Sequence, residues 1–530
     1  MTGAVRALDF AELLARVKVD GLRPALTFYR GKALVGRMSY GELASKVEAV
    51  AGGLHGKLGV RPGDRVALLA PNRLEVPVVV LALLRLGAVV VPLNPGSAPD
   101  DLRYILSHSG ARGLCVARAL EPLVPASARP AFALTLEEVL ALDGPAPEPP
   151  ENLAERMAVV LYTSGTTGSP KGVALRQRNL ICNAWSMAKN FGLDATTQLA
   201  VLPLHHAHAF GFGLMSALST GGHLVFTDGL EPFNWAQVVR SESVAVASVV
   251  PPLLPMLRAT NLTRERVPSL KHLMVSSAPL ARELASDFER GTQIRLTQGW
   301  GLSEYTNFAC CMPPDAPPDE HDALMYDRDV PSIGPALEGT EVKVVDAGGA
   351  AAAEGEPGEL MVRGHSTMLG YFEDPANTSR VLDADGWLRT GDQGVFRVHR
   401  GQHVFFVTGR IKEIIIRDAE KYSPLRLEQR IIEALPELSG LVVVLGFPHQ
   451  AHGEEIGAYV QLDALDEALR ARLESAIQAM PVPERPKVVL HGSRPVPRTH
   501  TGKIQRRKMQ GWFESWASHR GAIVIAPLLP

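Results

Sequence analysis

An apolar strand that runs directly into a loop of glycines and hydroxyl residues constrains this chain more than any other feature. The run Met157–Leu161 is apolar and predicts a buried strand. The next residues, Tyr162 to Val173, read YTSGTTGSPKGV and include Lys171. Glycines let a backbone approach a ligand closely, and backbone N–H groups, hydroxyls and a lysine together form a site for anions. The stretch therefore predicts a loop that holds a polyphosphate beside a buried strand.

This loop differs from the common phosphate loop G-x-x-x-x-G-K-[ST]. Gly168 is separated from Lys171 by Ser169 and Pro170, and Lys171 is followed by Gly172. No hydroxyl therefore follows the lysine to hold magnesium. A flexible Gly/Ser/Thr linker is the plain alternative. A linker, however, needs neither a buried strand before it nor one lysine near its end.

Strand and helix signals alternate on the N-terminal side of this loop. Residues 60–69 predict a turn and a short buried strand, Leu74–Leu86 predicts a helix, and Gly87–Leu93 predicts the next strand. Strand, helix and strand at this spacing form a βαβ unit, which favours a parallel sheet. The alternation returns over residues 213–300. Residues 308–331 form a polar, proline-rich connection to which we assign no structure.

Composition and charge exclude several classes of protein. The chain has 530 residues, of which 46% are apolar and 21% charged, so we expect a globular protein of at least two domains. A net charge of −2 gives no argument for nucleic acid or an anionic membrane as a partner. The four cysteines show no metal spacing, which favours a reduced, cytoplasmic protein. The most apolar stretch, residues 76–93, is broken by prolines and an arginine, so no transmembrane segment is predicted.

The loop fits the pattern [Y/F]-T-S-G-[T/S]-T-G-x-P-K-G at every position, and on it the chain resembles the adenylate-forming superfamily. That superfamily includes acyl-CoA synthetases, adenylation domains and firefly-type luciferases. Four further segments resemble its motifs in the same order: Gln298–Glu304, Gly386–Asp392, Gly409–Glu413 and Pro497–Ile504. The resemblance covers the chain from about residue 25 to about residue 510.

The resemblance also implies the fold. We expect an α/β protein with a large N-terminal domain, residues 1–409, made of doubly wound αβ subdomains plus a β-barrel-like part. Residues 333–410 read as all-β and would supply that part. A small, mobile α+β C-terminal domain, residues 410–530, would follow, hinged at Lys412.

An ATP site is implied by the same motifs. Its expected residues are Thr163, Ser164, Gly165, Thr166, Thr167, Gly168, Lys171, Ala278, Trp300, Ser303, Asp392, Arg410 and Lys503. Ala278 would lie near the adenine, and Trp300 replaces the usual tyrosine that stacks there. Ser303 would meet the α-phosphate.

The remaining implied roles concern the ribose, the metal and the chemistry. Asp392 would accept hydrogen bonds from both ribose hydroxyls, and Arg410 would add a donor to the ribose or a phosphate. Glu304 would hold Mg²⁺, since phosphates and water supply the other ligands. Lys503 would be the adenylation lysine.

Three histidines within four positions, His205, His206 and His208, open an apolar segment. His206 aligns with a family histidine that gates the acyl pocket and contacts the substrate, so we name it catalytic with Lys503 and Glu304. A zinc site and a histidine packed at the start of a helix are the alternatives.

The implied function is ATP-dependent activation of a carboxylic acid to acyl-AMP with release of pyrophosphate, followed by transfer to a thiol. Coenzyme A is favoured as acceptor. The phosphopantetheine arm of an acyl carrier protein stays open, because Asp418-Ala-Glu-Lys421 replaces a Gly-Gly-Glu-Asn-like turn. The apolar stretch Phe210–Met215, without a nearby acidic residue, favours a fatty or aryl acid.

Other classes of function remain as alternatives at this stage. A luciferase-type oxidoreductase shares the scaffold, and a non-catalytic nucleotide-binding relative would be expected to lack Lys503 or Glu304. Basic residues between 494 and 508 could form a nucleic-acid patch, although no aromatic residues interleave them.

Overall fold

The computed structural model describes residues 10–17, 21–163, 170–418, 420–498 and 504–528, with the backbone alone for residues 14–17. The α-helices of these ranges are, in chain order, α1 (Phe10–Val17), α2 (Tyr40–Leu58), α3 (Glu75–Arg85), α4 (Pro99–His108), α5 (Leu136–Leu140), α6 (Gln177–Asn190), α7 (Ser216–Ser219), α8 (Pro232–Ser241), α9 (Leu254–Arg258), α10 (Arg282–Thr292), α11 (Pro318–Tyr326), α12 (Pro375–Val381), α13 (Pro424–Ala434) and α14 (Glu467–Ala479).

The strands of the same ranges are β1 (Pro24–Arg30), β2 (Ala33–Ser39), β3 (Arg65–Leu69), β4 (Val89–Leu93), β5 (Gly113–Val116), β6 (Phe132–Thr135), β7 (Met157–Thr163), β8 (Lys171–Arg176), β9 (Thr197–Ala200), β10 (His223–Thr227), β11 (Val246–Val249), β12 (His272–Val275), β13 (Leu296–Gly301), β14 (Phe308–Cys311), β15 (Thr340–Val345), β16 (Gly358–Gly364), β17 (Gly370–Tyr371), β18 (Leu388–His399), β19 (Gln402–Arg410), β20 (Ile415–Arg417), β21 (Glu420–Tyr422), β22 (Val442–His449), β23 (Gly453–Val460), β24 (Val488–His491) and β25 (Val524–Pro527).

Two large sheets form most of the N-terminal part. One has the strand order β17-β8-β7-β4-β3-β5-β6, and the other has the order β14-β13-β12-β11-β9-β10-β1-β2. Their central pairs are parallel, as in β3 with β4 and β11 with β12, whereas pairs at the edges, such as β7 with β8 and β13 with β14, are antiparallel. The βαβ unit predicted from residues 60–93 is confirmed as β3, α3 and β4. Every residue of α3 after Glu75 is buried, because the helix belongs to a core shared by both sheets.

The helix α2 shows how the sequence fixes one of these elements. Ser39 and Glu42 form the expected capping box, in which each side chain accepts a hydrogen bond from the other residue's backbone N–H. Gly59 ends the helix in the left-handed conformation, with φ at 65°, which a glycine adopts without strain. The two ends of the helix are thus set by local residues before tertiary packing adds to its stability.

A four-stranded sheet, with the order β15-β16-β18-β19, comes next in the chain. The expectation that residues 333–410 are all-β is wrong at α12, and one strand of this segment, β17, belongs to another sheet. Asp374 caps α12 by accepting from the backbone N–H of Asn377, and β17 leaves this sheet to pair with β8. The segment between β16 and β18 is therefore attached to the strands that flank the phosphate loop.

Residues 308–331 are not a connection without structure. They contain β14, an apolar run that pairs with β13, and α11. Pro318 occupies the first turn of α11 together with Asp319 and Glu320. Proline and acidic residues suit a helix start, so the features that suggested a linker mark an N-terminus instead.

The small C-terminal domain is built on a sheet with the order β21-β20-β23-β24-β25, to which β22 adds beside β23. Its helix α13 faces α10 of the N-terminal part, where Arg282 donates to Glu433 over 2.9 Å. The hydroxyl of Ser423, just before α13, donates to the carbonyl of Thr408 over 2.5 Å. The fold is α/β with a large N-terminal domain and a small C-terminal one. Within the described ranges, no helix is both long and apolar enough to cross a membrane.

Candidate active site

The predicted phosphate loop joins the antiparallel strands β7 and β8. Thr163 and Lys171 are register partners at the ends of these strands, and the Thr163 hydroxyl lies 3.5 Å from the Lys171 carbonyl oxygen. The buried strand before the loop is confirmed as β7, with residues 158–161 buried. The loop's own predicted residues, Ser164, Gly165, Thr166, Thr167 and Gly168, lie outside the described residues.

Tyr371 connects the loop's lysine to the predicted metal ligand. The Lys171 Nζ lies 4.9 Å from the centroid of the Tyr371 ring, and the Tyr371 hydroxyl donates to Oε1 of Glu304 over 2.9 Å. Burial, with the Glu304 charge, raises the pKa of Tyr371, so its hydroxyl stays a donor. The sequence analysis missed Tyr371. It lies in a two-residue strand, β17, and no periodic pattern tied that segment to β8.

Glu304 follows β13 in a single turn of 3₁₀ helix, Ser303–Tyr305. Its carbonyl accepts from the backbone N–H of Met368 over 2.9 Å, which fixes the turn against the segment that carries Tyr371. Thr306 closes the turn with φ at 67°, a conformation that is uncommon for a branched residue. Such strain is found where surrounding structure demands a particular backbone path, and functional sites are common among such places.

Trp300, Asp392 and Arg410 form a second cluster. The indole Nε1 of Trp300 donates to Oδ2 of Asp392 over 2.9 Å, and Arg410 Nε approaches Oδ1 to 2.8 Å. Asp392 and Arg410 are register partners on β18 and β19, and Asp392 is 5% exposed. Attraction to Asp392 and, more weakly, to Glu413 and Glu304 raises the pKa of Arg410 although burial opposes it. Carboxylates of both clusters thus stabilise the positive charge of Arg410.

The histidine segment adopts a π-helix over Ala209–Met215, a form that occurs often at functional sites. The carbonyl of His206 accepts from the backbone N–H of Phe210, and the ring centroids of His205 and His206 are 4.3 Å apart. His206 therefore lies at the start of the π-helix, with its ring partly exposed.

His208, rather than His206, makes the buried side-chain contacts in this segment. Its Nδ1 lies 2.9 Å from the Ser277 hydroxyl and 3.2 Å from the Ser276 hydroxyl. Burial, with a smaller contribution from His206, lowers the pKa of His208 to about 3, so the ring is neutral. Ser277 has φ at 70°, and Ala278 follows it in the loop after β12. The sequence singled out His206 by alignment and gave no signal for the contact between His208 and these serines.

Two further predicted residues, Lys412 and Lys503, are not part of the two clusters described above. Lys412 is exposed in a 3₁₀ turn, Ile411–Glu413, directly after β19. Lys503 lies outside the described residues. Among the residues that the structure describes, no group of three or more His, Cys, Asp or Glu side chains could hold a metal ion. A metal at Glu304 would therefore take most of its ligands from phosphates and water.

Several known proteins resemble this chain in sequence. The family model "AMP-binding enzyme" matches residues 15–372. A sulfoacetate–CoA ligase of Cupriavidus necator is 30% identical over 496 residues, which cover 89% of this chain and 92% of the ligase. A feruloyl-CoA synthase of Amycolatopsis sp. is 30% identical over 485 residues, or 90% of this chain and 94% of the synthase.

A solved structure shows that the likeness extends to three dimensions. The crystal structure of ATP-bound MatB from Rhodopseudomonas palustris superposes with a TM-score of 0.84 at 25% identity, over 96% of this chain and 100% of MatB. The family match spans the loop segment, the strand β13 that carries Trp300 and the turn that carries Glu304. The chain therefore belongs to the AMP-binding enzyme family and is an AMP-forming acid–thiol ligase that activates a carboxylic acid with ATP.

Proposed function

We propose that the site holds ATP with its ribose at Asp392 and its phosphates at Lys171 and Glu304, and that coenzyme A is the thiol. One observation carries this proposal: Trp300 of the Trp300–Asp392–Arg410 cluster lies on β13, and Glu304 lies in the 3₁₀ turn directly after that strand. A ribose-binding carboxylate and a phosphate-side carboxylate would then face one nucleotide. The aromatic ring of Trp300 supplies a stacking surface beside the ribose position.

The first half-reaction would join the acid to the α-phosphate. A carboxylate oxygen attacks the α-phosphorus, the bond to the leaving pyrophosphate breaks, and acyl-AMP forms. The protein's part is to position the two anions and to neutralise charge. Thr163, Lys171 and the Ser164–Gly168 segment would bind the β- and γ-phosphates, Ser303 the α-phosphate, and Lys503 would bridge the α-phosphate and the carboxylate.

Magnesium fits the donor set near Glu304. A half-buried carboxylate beside a phosphate site offers the oxygen ligands that Mg²⁺ prefers. The Tyr371 hydroxyl occupies Oε1 and so leaves Oε2 of Glu304 for the ion. When bound, the ion would offset negative charge on the phosphates. Lys171, held over the Tyr371 ring, would add a positive charge on the same side.

In the second half-reaction the small domain would rotate about Lys412 and bring the thiol to the acyl carbonyl. The thiol sulfur attacks that carbon, the bond to AMP breaks, and the acyl thioester forms. We place the domain boundary at 409/410, since Arg410 ends β19 and the exposed turn with Lys412 follows it. His206, partly exposed at the start of the π-helix, would gate the acyl pocket.

An acyl carrier protein is the alternative acceptor. The turn between β20 and β21 replaces a glycine with Asp418, which has φ at 52° and pairs with His452 Nδ1 over 2.7 Å. A charged side chain held in this turn narrows the space where a pantetheine arm would approach. Ala419, the second substituted position, lies outside the described residues.

Two buried polar atoms near the π-helix favour an acid with a polar substituent, such as a substituted aryl acid, over a plain alkyl acid. Among the described residues, His208 Nε2 and Asn307 Nδ2 have no hydrogen-bond partner, and both residues are 5% exposed. Asn307 packs against Gly211 of the π-helix, and His208 meets the ring edge of Phe308. A buried polar atom without a hydrogen-bond partner lowers stability. A substrate with a polar substituent could supply such a partner to His208 or Asn307, and an alkyl chain could not.

A cytoplasmic location is proposed from the cysteines. Cys115, Cys182, Cys310 and Cys311 are all free thiols, and three of them are buried. Proteins that keep adjacent thiols unpaired are typical of reducing compartments.

Pyrophosphate release from ATP and Mg²⁺ tests the proposal, with fatty, aryl and amino acids offered in turn and with coenzyme A present or absent. We expect release with aryl acids that rises when coenzyme A is added, together with a thioester product. Acyl-AMP that stays bound despite coenzyme A would favour the carrier-protein acceptor instead. Release with none of the acids would contradict the proposed substrate class.

A further inference from the structure

Arg506 is a buried arginine whose guanidinium contacts three separate segments of the C-terminal domain. Nη1 donates to Oε2 of Glu413 over 2.7 Å, and Nη2 donates to Oε1 of Glu428 over 2.7 Å. Nε donates to the carbonyl of Val444 over 2.9 Å. Burial works against the charge, but the two carboxylates outweigh it and raise the pKa of Arg506. Each of the three guanidinium nitrogens of this charged side chain thus donates to an acceptor.

The three contacts connect Arg506 to the turn near the start of the C-terminal domain and to two later elements. Glu413 ends the 3₁₀ turn that contains Lys412, Glu428 lies on α13, and Val444 lies on β22. The guanidinium therefore joins the residue directly after the proposed hinge to the helix α13 and to the strand β22.

Arg506 also stands three positions after Lys503 in the chain. The ends of the segment that contains Lys503 lie side by side: Arg498 and Ile504 form an antiparallel bridge, and Gln505 N donates to the Pro497 carbonyl over 2.8 Å. The described residues on either side of residues 499–503 are thus held against each other, and we call Pro497, Arg498, Ile504 and Gln505 the base of the Lys503 segment. Arg506 holds that base.

Stability alone does not account for a buried charged fork. Well-packed apolar residues of similar volume often stabilise a domain as well as a buried ion pair does. A planar guanidinium that donates to three separate acceptors instead fixes their relative directions, because each N–H points along one line. The group fixed in this way is the base of the Lys503 segment, relative to the hinge.

We propose that Arg506 is a positioning residue for the adenylation step. Through its contact with Glu413, Arg506 fixes the orientation of the Lys503 segment relative to the hinge. The inference rests on the roles proposed above for Lys503 and Lys412. Arg506 touches no substrate in this account. When the domain rotates, the turn after Lys412 and the Lys503 segment move as one unit, so that the lysine is delivered to the α-phosphate and withdrawn as a whole.

The test compares the two half-reactions in Glu413→Gln, which keeps the size of the side chain and removes its charge. Adenylation is followed as acid-dependent exchange of pyrophosphate into ATP, and the second half-reaction as thioester formation from synthetic acyl-AMP and coenzyme A. We expect kcat for adenylation to fall about 10- to 100-fold, as for a catalytic group misplaced by about 1 Å. The second half-reaction should stay within about 2-fold, because Lys503 is not needed there.

Glu484→Gln is the matched control, since Glu484 forms an ion pair with Arg430 of α13 over 3.1 Å in the same domain. It should leave both half-reactions unchanged. Equal losses in both half-reactions for Glu413→Gln would show a purely structural role and overturn the inference, as would unchanged adenylation. Arg506→Lys, which keeps the charge but loses the fork, should give the same selective loss.

A double mutant separates failure of this inference from failure of the proposed function. If Lys503→Ala leaves adenylation unchanged, the proposed role of the lysine fails. If Lys503→Ala lowers adenylation to a residual rate that can still be measured, Glu413→Gln should add no further loss in that background, because its effect acts through the lysine. Additive losses would overturn the positioning role alone.

Discussion

The indole Nε1 of Trp300 donates a 2.9 Å hydrogen bond to Oδ2 of Asp392, and Arg410 contacts the other carboxylate oxygen. Two residues from two other strands thus hold the buried carboxylate of Asp392 in a single orientation. Donors on both oxygens fix its plane before a nucleotide arrives, and each oxygen keeps lone pairs for the ribose hydroxyls. The replacement of a tyrosine by tryptophan therefore adds a hydrogen bond to the expected stacking surface.

Trp300→Phe should weaken nucleotide binding while it keeps an aromatic ring. A hydrogen bond to a charged group contributes about 1.5–3 kcal/mol, so we expect the Kd for AMP and the KM for ATP to rise roughly 10-fold or more. Calorimetric titration with AMP measures this directly. Trp387→Phe is the control, because Trp387 contacts Lys343 and Arg363 on the neighbouring sheet and not Asp392. An unchanged Kd for AMP in Trp300→Phe would contradict the assignment.

Glu304→Gln should raise the magnesium requirement of the first half-reaction. Glutamine keeps the size of the side chain and can still accept from Tyr371, but it removes the charge that attracts the cation. We expect the Mg²⁺ concentration for half-maximal pyrophosphate release to rise about 10-fold. Glu341→Gln, an exposed carboxylate paired with Arg363, should not change it. A magnesium dependence equal to that of the parent would refute Glu304 as a ligand.

The outcome at these residues shows what the sequence could supply. Glu304, Asp392 and Arg410 stand in motifs with recognisable spacing, and the structure brings Asp392 and Arg410 together through strand register. Tyr371 lies in a strand of two residues whose partner is nearly 200 positions earlier in the chain. No local pattern encodes such a pairing, because it depends on how distant segments pack.

His208 and the segment 308–331 illustrate a different limit. A run of histidines looks the same whether a ring faces solvent or contacts serines in the loop after β12, so the alignment favoured His206 and left His208 unassigned. In the segment 308–331, clustered prolines suggested a linker although Pro318 begins α11. Proline is compatible with both, and only tertiary packing distinguishes them.

His208 should make the protein less stable as the pH falls. Its pKa is lowered to about 3 by burial, while in the unfolded chain it is near 6.5. Below pH 6.5 the unfolded state therefore binds a proton that the folded state does not. Because of His208, the free energy of unfolding should fall by about 1.4 kcal/mol for each pH unit below 6.5, until the pH approaches 3.

His208→Asn should reduce that slope between pH 6.5 and pH 4, as measured by urea unfolding at a series of pH values. His223 and His272, whose pKa values are also lowered by burial, keep contributing in both proteins. His206 contributes less than burial does to the lowered pKa of His208, so substitution of His206 should change the slope less. A slope equal to that of the parent would show that His208 titrates normally in the folded state.

Ser39→Ala should lower stability without loss of activity. The substitution removes the hydroxyl that accepts from Glu42 N at the start of α2, a change that costs about 1 kcal/mol for a typical N-cap. Ser39→Thr keeps the hydroxyl and should restore most of the stability. Urea unfolding measures the difference, and pyrophosphate release should be unchanged because α2 carries none of the proposed site residues. An unchanged unfolding midpoint would show that the cap contributes nothing.

Transfer of an oxygen atom from the carboxylate to AMP shows whether acyl-AMP is formed. A preferred acid labelled with ¹⁸O in both carboxylate oxygens is incubated with ATP, Mg²⁺ and coenzyme A, and the products are analysed by mass spectrometry. Attack of the carboxylate on the α-phosphorus predicts that the AMP released carries one ¹⁸O and that pyrophosphate carries none. Unlabelled AMP, or ADP with labelled phosphate, would contradict the account.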